Sequence, residues 1–326
     1  MKKFLIFIAL VLLVASSSSY AAMSNFVTYT AEGAGISIDA LGIGDYTTGT
    51  LQAEIPVGAE IYRAYLYSAS VWSSGLSNVE FQGGTLISNA SSRLDTGAKN
   101  ANSASENRWD VTSQVTSLVG GGSGTFNFNV KELGYLDGEI LAVVYKVAGN
   151  PVNTAFIFDG ELSTSGDSFN VNLTTPYSTT DTAIMSLGIS YGYQGYGDQY
   201  TQVDINGTRL TTSAGGNEDG GEVAQNGYLI TAGGVGDSIA NPANPYATPP
   251  YHGHYDDELY NIGTLLSNGT NVITLSTLNP SADDNVFFMG LTVRGEAVVP
   301  QIPEPGTMML LGSLLMGMVG LKKVRN

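Results

Sequence analysis

His252 and His254 are the only two histidines of the chain, in Tyr251-His252-Gly253-His254-Tyr255-Asp256-Asp257-Glu258. On an extended strand, residues two apart share a face. The two imidazoles and Asp256 can then meet one ion, because neutral imidazole suits zinc or copper and a carboxylate adds a third ligand. The chain has no cysteine, and no second histidine cluster completes the set. Calcium, which takes six to eight oxygens, is better supplied. Asn217-Glu218-Asp219, Asp256-Asp257-Glu258 and Asp283-Asp284-Asn285 all offer carboxylates in turn-rich sequence. None follows the twelve-residue EF-hand spacing. The candidate metal ligands are therefore Asp256, Asp257, Asp283, Asp284, His252 and His254, and the only cofactor they suggest is a structural Ca²⁺.

Two further patterns invite chemistry. Gly188-Ile189-Ser190-Tyr191-Gly192 fits G-x-S-x-G, with Asp198 and His252 following in hydrolase order. That motif needs a strand, a sharp elbow and then a helix. The residues that follow, Tyr193-Gln194-Gly195-Tyr196-Gly197-Asp198, cannot hold a helix, so the stretch reads as a strand entering a Gly/Tyr loop. In that loop Tyr191, Tyr193, Tyr196 and Tyr200 crowd together. With Trp72, Tyr251 and Tyr255 they can form an aromatic platform for sugar rings, since tyrosine presents a flat apolar face and a hydroxyl.

These residues must be held by something, and the surrounding sequence is that of a β protein. Of 326 residues 41 are glycine. Short alternating runs separated by Gly and Asn turns dominate, and long helical periodicity is absent between the two ends. Two stretches share one order of parts. The first begins Ala59–Ser70, continues Val79-Glu80-Phe81-Gln82-Gly83-Gly84, and leads through Trp109-Asp110-Val111-Thr112 to strands at 125–130 and 139–147. The second begins Thr182–Tyr193, continues Val203-Asp204-Ile205-Asn206-Gly207-Thr208, and leads through Tyr260-Asn261-Ile262-Gly263 to strands at 271–276 and 285–293. In each, an apolar-polar-Gly ending suits a tight hairpin whose glycine supplies positive φ. Asp110 or Asn261 can cap the short helical turn that follows.

The expectation is an all-β chain of two jelly-roll or Ig-like sandwich units, a first copy over 22–160 and a second over 161–297. Between the hairpin and the helical turn the second copy is longer, about 50 residues against about 22, and the surplus is 211–258. A long insertion on a rigid scaffold is a place to look for function. This body resembles a domain-of-unknown-function family of secreted archaeal and bacterial surface proteins, on IYRAYLY (61–67), DVTSQV (110–115), DDELYNI (256–262) and DDNVFF (283–288). The resemblance implies a surface β domain and brings no catalytic residues.

Charge narrows the partners. The formal net charge is −16, with Lys2, Lys3, Lys322, Lys323 and Arg325 confined to the two ends. Nucleic acid, which requires a basic footprint, is excluded as a partner. Without cysteine, an exported fold must stand on its core alone.

Both ends read as addresses. Lys2-Lys3, the apolar run Phe4–Val14 and the small residues near Ala21 have the layout of a secretory signal peptide over 1–21. At the other end a linker, 298–307, holds Pro303-Glu304-Pro305, where the prolines keep the chain extended. The apolar run 308–321 follows, about 21 Å as a helix at about 1.5 Å per residue. That is short for a hydrocarbon core of about 30 Å, a gap that lysine snorkelling can narrow. The tip 322–326 carries Lys322, Lys323 and Arg325, which favour the cytoplasmic side. Motif, apolar run, basic tip and position together resemble the PEP-CTERM sorting signal. The resemblance implies recognition and cleavage by a membrane exosortase, after export through the Sec machinery, and delivery to the cell surface or its exopolysaccharide matrix.

The leading expectation is a non-enzymatic surface or matrix protein, anchored in the inner membrane by helix 308–321 until processed. The alternatives are a glycan-binding module using the 191–200 tyrosines and insertion 211–258, and a metal-dependent hydrolase at His252 and His254.

Overall fold

The structure is a computed structural model that describes residues 23–42, 47–70, 77–94, 105–160, 166–190, 201–214, 230–239, 258–279 and 285–300. The chain divides into a body, residues 21–299, and a second unit made of residues 1–20 and 300–326. Of that second unit only Pro300 is described, so the signal-peptide, PEP-motif, apolar-run and basic-tip readings lie outside the described residues. Among the described residues no helix is long and apolar enough to cross a membrane.

The body is all-β, as its sequence implies. In the first half, β3 (Thr48–Ile55), β8 (Gly124–Glu132), β5 (Val79–Phe81) and β6 (Gly84–Leu86) pair in that order. A second sheet runs β2 (Gly35–Leu41), β9 (Gly138–Val147), β4 (Ala59–Ser70), β7 (Ser105–Asp110). The second half repeats both. One sheet runs β10 (Val152–Asp159), β18 (Asn285–Arg294), β12 (Ala183–Ser190), β16 (Leu259–Asn261). The other runs β11 (Ser168–Leu173), β17 (Val272–Leu278), β13 (Thr201–Ile205), β14 (Thr208–Ala214). Among the described strands, three stand outside this scheme: β1 (Ser24–Glu32) on β10, β15 (Ile230–Ala232) on β12 and β19 (Ala297–Val298) on β11. Numbered within each half, the sheets read 1-8-3-6 and 2-7-4-5 both times.

Local chemistry explains the repeated joints. The β5–β6 turn places Gln82 and Gly83 at φ 50° and 77°, and the β13–β14 turn places Asn206 and Gly207 at 49° and 76°. Two consecutive positive φ values are the signature of a two-residue hairpin turn that matches strand twist. Gln82 N–H donates to the Asn129 carbonyl on β8, and Asn206 N–H to the Thr274 carbonyl on β17, so both turns dock the same way. The helical turns also correspond. Helix α1 (Thr112–Val119) buries Val115 and Val119 but begins at Val111 with no side-chain cap, while Asp110 Oδ1 accepts from Thr112 N–H one step earlier. In the 3-10 turn Ile262–Leu265, Asn261 is the cap and accepts from Gly263 N–H.

Three cores separate four layers. The first lies between the two sheets of the first half and contains Leu51, Phe81, Phe128, Leu66 and Leu141. The last lies between the two sheets of the second half and contains Phe156, Leu187, Met289, Val203 and Leu275. The middle core joins β2, β4 and β9 to the sheet of β10, β12 and β18 through Ile38, Tyr67, Ile140, Ile157 and Phe288. The two inner sheets are thus buried on both faces. This is why β9 (GEILAVVYKV) and β12 (AIMSLGIS) read as continuous apolar runs, whereas the outer β8 and β17 alternate buried and exposed positions. On an outer face, Thr274 Oγ1 donates to Asn170 Oδ1, a polar cross-strand contact suited to water.

β10 hydrogen-bonds to β18 along its whole length. It therefore belongs to the second half's sheet, although residues 152–159 fall before the 160/161 boundary read from sequence. Close approach of the two inner sheets depends on small residues. A Cβ on Gly188 would lie 2.6 Å from Ile140 Cδ1 and 2.9 Å from Phe288 Cβ. Gly188→Val is expected to lower stability by about 1–3 kcal/mol through overpacking, read as a drop in urea midpoint with an unchanged slope.

Candidate functional site

The sequence-derived site residues fall outside the described parts of the body. Tyr191, Tyr193, Tyr196, Tyr200, Tyr251 and Tyr255 do so, as do His252, His254, Asp256, Asp257, Asp283 and Asp284. What is described is the frame of the insertion. It is not all loop: β15 pairs Ile230–Ala232 with Gly188–Ser190 of β12. Gly234 and Val235 then lie against the first half, where Val235 N–H donates to the Ile38 carbonyl of β2. Glu258 closes the insertion at φ 47°, 1% exposed. Its carbonyl accepts from Leu187 N–H and its Oε2 accepts from Thr231 Oγ1 at 3.1 Å. The carboxylate read from sequence as part of an open Asp256–Glu258 calcium loop is turned inward, because the chain must re-enter the sheet at Leu259.

Beside that stem a cleft of about 430 Å³ opens between the halves, lined by β2, β12, β18 and residues 233–235. Its polar groups include Ser37, Ser186, Thr292, Thr125, Tyr145 and Glu54. Ser186 is 3% exposed, and its Oγ has no hydrogen-bond partner among the described residues. Burial, with a smaller contribution from Glu54, raises the Tyr145 hydroxyl above its ordinary pKa. At that size and polarity the cleft suits a small neutral ligand or a few waters.

Asp39 lies on the edge strand of the first half. Its Oδ2 accepts from Gln52 N–H, and Ser37 Oγ accepts from Glu54 N–H, so β2 satisfies the free edge of β3 across the seam between the sheets. Burial, helped by the Asp237 charge and opposed by the Gln52 and Ala40 N–H groups, pushes the Asp39 carboxyl up to about 7. A carboxyl near neutrality can serve acid–base chemistry, but this one is engaged by backbone and does not line the cleft. Among the described residues no three His, Cys, Asp or Glu side chains are gathered as a metal-binding set.

A buried ion pair crosses the middle core. Arg108 of β7 meets Asp159 of β10, with side-chain exposures of 24% and 4%. Tyr67 Oη donates to Asp159 Oδ2 at 3.0 Å. The guanidinium carbon lies 3.2 Å from the centre of the Phe26 ring. Desolvation raises the Asp159 pKa despite the opposing Arg108 charge, and desolvation and the Asp159 charge raise that of Tyr67.

Sequence reading passed over another set of acids. Glu132 and Glu139 are fully buried at either end of the β8–β9 connection. Their signal was in the alternation: Glu132 is in phase with the inward Phe128 and Val130, and Glu139 with the inward Leu141 and Val143. Burial pushes the Glu139 carboxyl up to about 8.

Comparison with known proteins gives one sequence match: residues 301–325 match the PEP-CTERM protein-sorting motif. No curated protein matches the chain in sequence. Among solved structures, the body is similar to BuGH86 in complex with neoagarooctaose, at 9% identity and a TM-score of 0.24, over 85% of this chain and 34% of that one. It is also similar to a beta-porphyranase of glycoside hydrolase family 86 from the human gut bacterium Bacteroides plebeius, at 12% identity and a TM-score of 0.22, over 87% and 38%. The major capsid protein of bacteriophage PM2 matches at 14% identity and a TM-score of 0.20, over 82% and 99%. The chain spans about a third of the two family 86 proteins, and TM-scores this low support no transfer of fold or activity.

Proposed function

We propose that this chain is an exported, non-enzymatic surface or matrix protein whose tail is read by an exosortase and whose body is a duplicated jelly roll. The match of residues 301–325 to the PEP-CTERM motif carries this reading. Pro303 and Pro305 hold Glu304 in an extended, accessible segment, since proline disfavours helix in the residue before it. The run 308–321 retains the precursor in the inner membrane, and Lys322, Lys323 and Arg325 hold its end at the cytoplasmic face. Cleavage near the motif then frees the body to the surface or to exopolysaccharide.

The strand orders 1-8-3-6 and 2-7-4-5, found in both halves, support the jelly-roll duplication. A body of two such units with polar outer faces and a strongly negative charge suits a hydrated matrix.

Replacing Glu304 or Pro303 with alanine is expected to leave the full-length precursor in the membrane fraction, with the released form lost. Cell fractionation and intact mass are the readouts. Normal processing of both variants would overturn the recognition step.

A further inference from the structure

The first sandwich carries a row of buried polar side chains, two of which stand where the second has apolar ones. Glu139 on β9 pairs across to Ser68 on β4, and Ser68 to Asn107 on β7. Directly opposed residues on adjacent strands present their side chains to the same face, which here is the first core. All three are fully buried. Among the described residues, both Glu139 carboxylate oxygens, Ser68 Oγ and Asn107 Nδ2 lack hydrogen-bond partners. Such groups are costly in an apolar interior unless something satisfies them.

The corresponding row of the second half shows that the fold does not need the Ser68 hydroxyl or the Glu139 carboxylate, although Asn107 there corresponds to the buried Glu258. Tyr65 pairs with Asp110 and Ala142, just as Ile184 pairs with Asn261 and Thr292. Counting three residues along from those pairs, Ser68↔Glu139 corresponds to Leu187↔Met289, an apolar pair in the last core. A carboxylate and a hydroxyl thus stand where the other copy has leucine and methionine.

We propose that Glu139, Ser68 and Asn107, with Glu132 from the facing sheet, form a buried Ca²⁺ site at the β8–β9 end of the first sandwich. Glu132 is inward-facing and fully buried, and supplies the second carboxylate. Asn107 Oδ1 accepts from Ser88 Oγ at 3.2 Å and from Ser92 Oγ at 2.9 Å. Those hydroxyls can accept as well as donate, so the amide turned over keeps both bonds and presents Oδ1 where the unpartnered Nδ2 lies. Two carboxylates, a hydroxyl and an amide oxygen then provide up to about six oxygens, a hard-cation set. Two negative charges match a divalent ion. The site is separate from the acids at 217–219, 256–258 and 283–285.

The test uses the full chain in detergent micelles, stripped with EDTA and melted with and without CaCl₂. Calcium at about 100-fold over its Kd is expected to raise Tm by roughly 5 °C. Glu139→Gln should abolish most of the rise. The double variant Ser68→Leu with Glu139→Met, which copies the second half's pair, should melt cooperatively and be insensitive to calcium. A variant with Asp256, Asp257, Asp283 and Asp284 all changed to asparagine leaves this core untouched and should keep the full rise. The proposal is overturned if wild type shows no rise, if the rise survives in the Glu139 variants, or if it disappears in the asparagine variant.

Discussion

Arg108→Met lowers the stability of the body by roughly 3 kcal/mol, at the lower end for breaking a buried ion pair because the arginine is partly exposed. The loss comes mainly from what stays behind. Asp159 is 4% exposed on its side chain, and without the guanidinium its charge is held among apolar groups by one Tyr67 hydroxyl. Arginine's stacking on Phe26 is lost as well. Asp159→Leu alone should cost a similar amount, since it strands the cation and the tyrosine hydroxyl. The double variant Arg108→Met with Asp159→Leu should recover most of the loss, because two apolar side chains can replace a buried pair at little cost. Urea midpoints of the four proteins form a double-mutant cycle. Additive single effects would mean that the pair does not couple the two halves.

The second large effect is on pH dependence, through Asp39. Its carboxyl is raised from 3.8 to about 7 in the folded chain. Between these values the folded state holds a proton that the unfolded state has released. Stability from this group is therefore complete below about pH 4, falls as pH rises, and is gone above about pH 7. Each tenfold change in proton affinity is worth about 1.4 kcal/mol, which sets a ceiling of about 4 kcal/mol. Asp39→Asn keeps an oxygen for Gln52 N–H and removes the titration. Its urea midpoint should change less than that of wild type between pH 4.5 and 8, the remaining change coming from buried Glu139 in both proteins, and the variant should be the more stable one at pH 8. Parallel pH profiles for the two proteins would show that Asp39 titrates normally.

Much of the plan was legible because it is written in short-range chemistry. Gly83 and Asn206-Gly207 favour hairpins through their own backbone preferences, and both turns form as read. Asn261 takes the cap that its position suggested, while Asp110 stands one residue too early and leaves the cap to Val111. The insertion 211–258 was read as one surplus stretch, but its first residues complete β14 and β15 returns another part to the sheet beside β12. Ile230-Thr231-Ala232 is too short a run to announce a strand without its partner.

The candidate site was less legible, since the residues that looked reactive were chosen for type and proximity in sequence. Glu139, Ser68 and Asn107 are ordinary residues in sequence. They become a set only when β9, β4 and β7 pair in register, which brings together residues far apart along the chain.

The sequence by itself determined the all-β character, the repeated order of parts and the sorting motif at 301–325. Each depends on neighbours within a few residues: alternation, turn glycines, prolines around an acid. Only the tertiary structure decided that the two inner sheets stack on each other, that β10 joins the second half, and that Arg108 meets Asp159 across the middle core. Those outcomes depend on how closely two faces can approach, and glycine at 188 and 290 with alanine at 69 and 142 sets that distance. Sheets buried on both faces also erase the alternation that would otherwise show which side each residue faces.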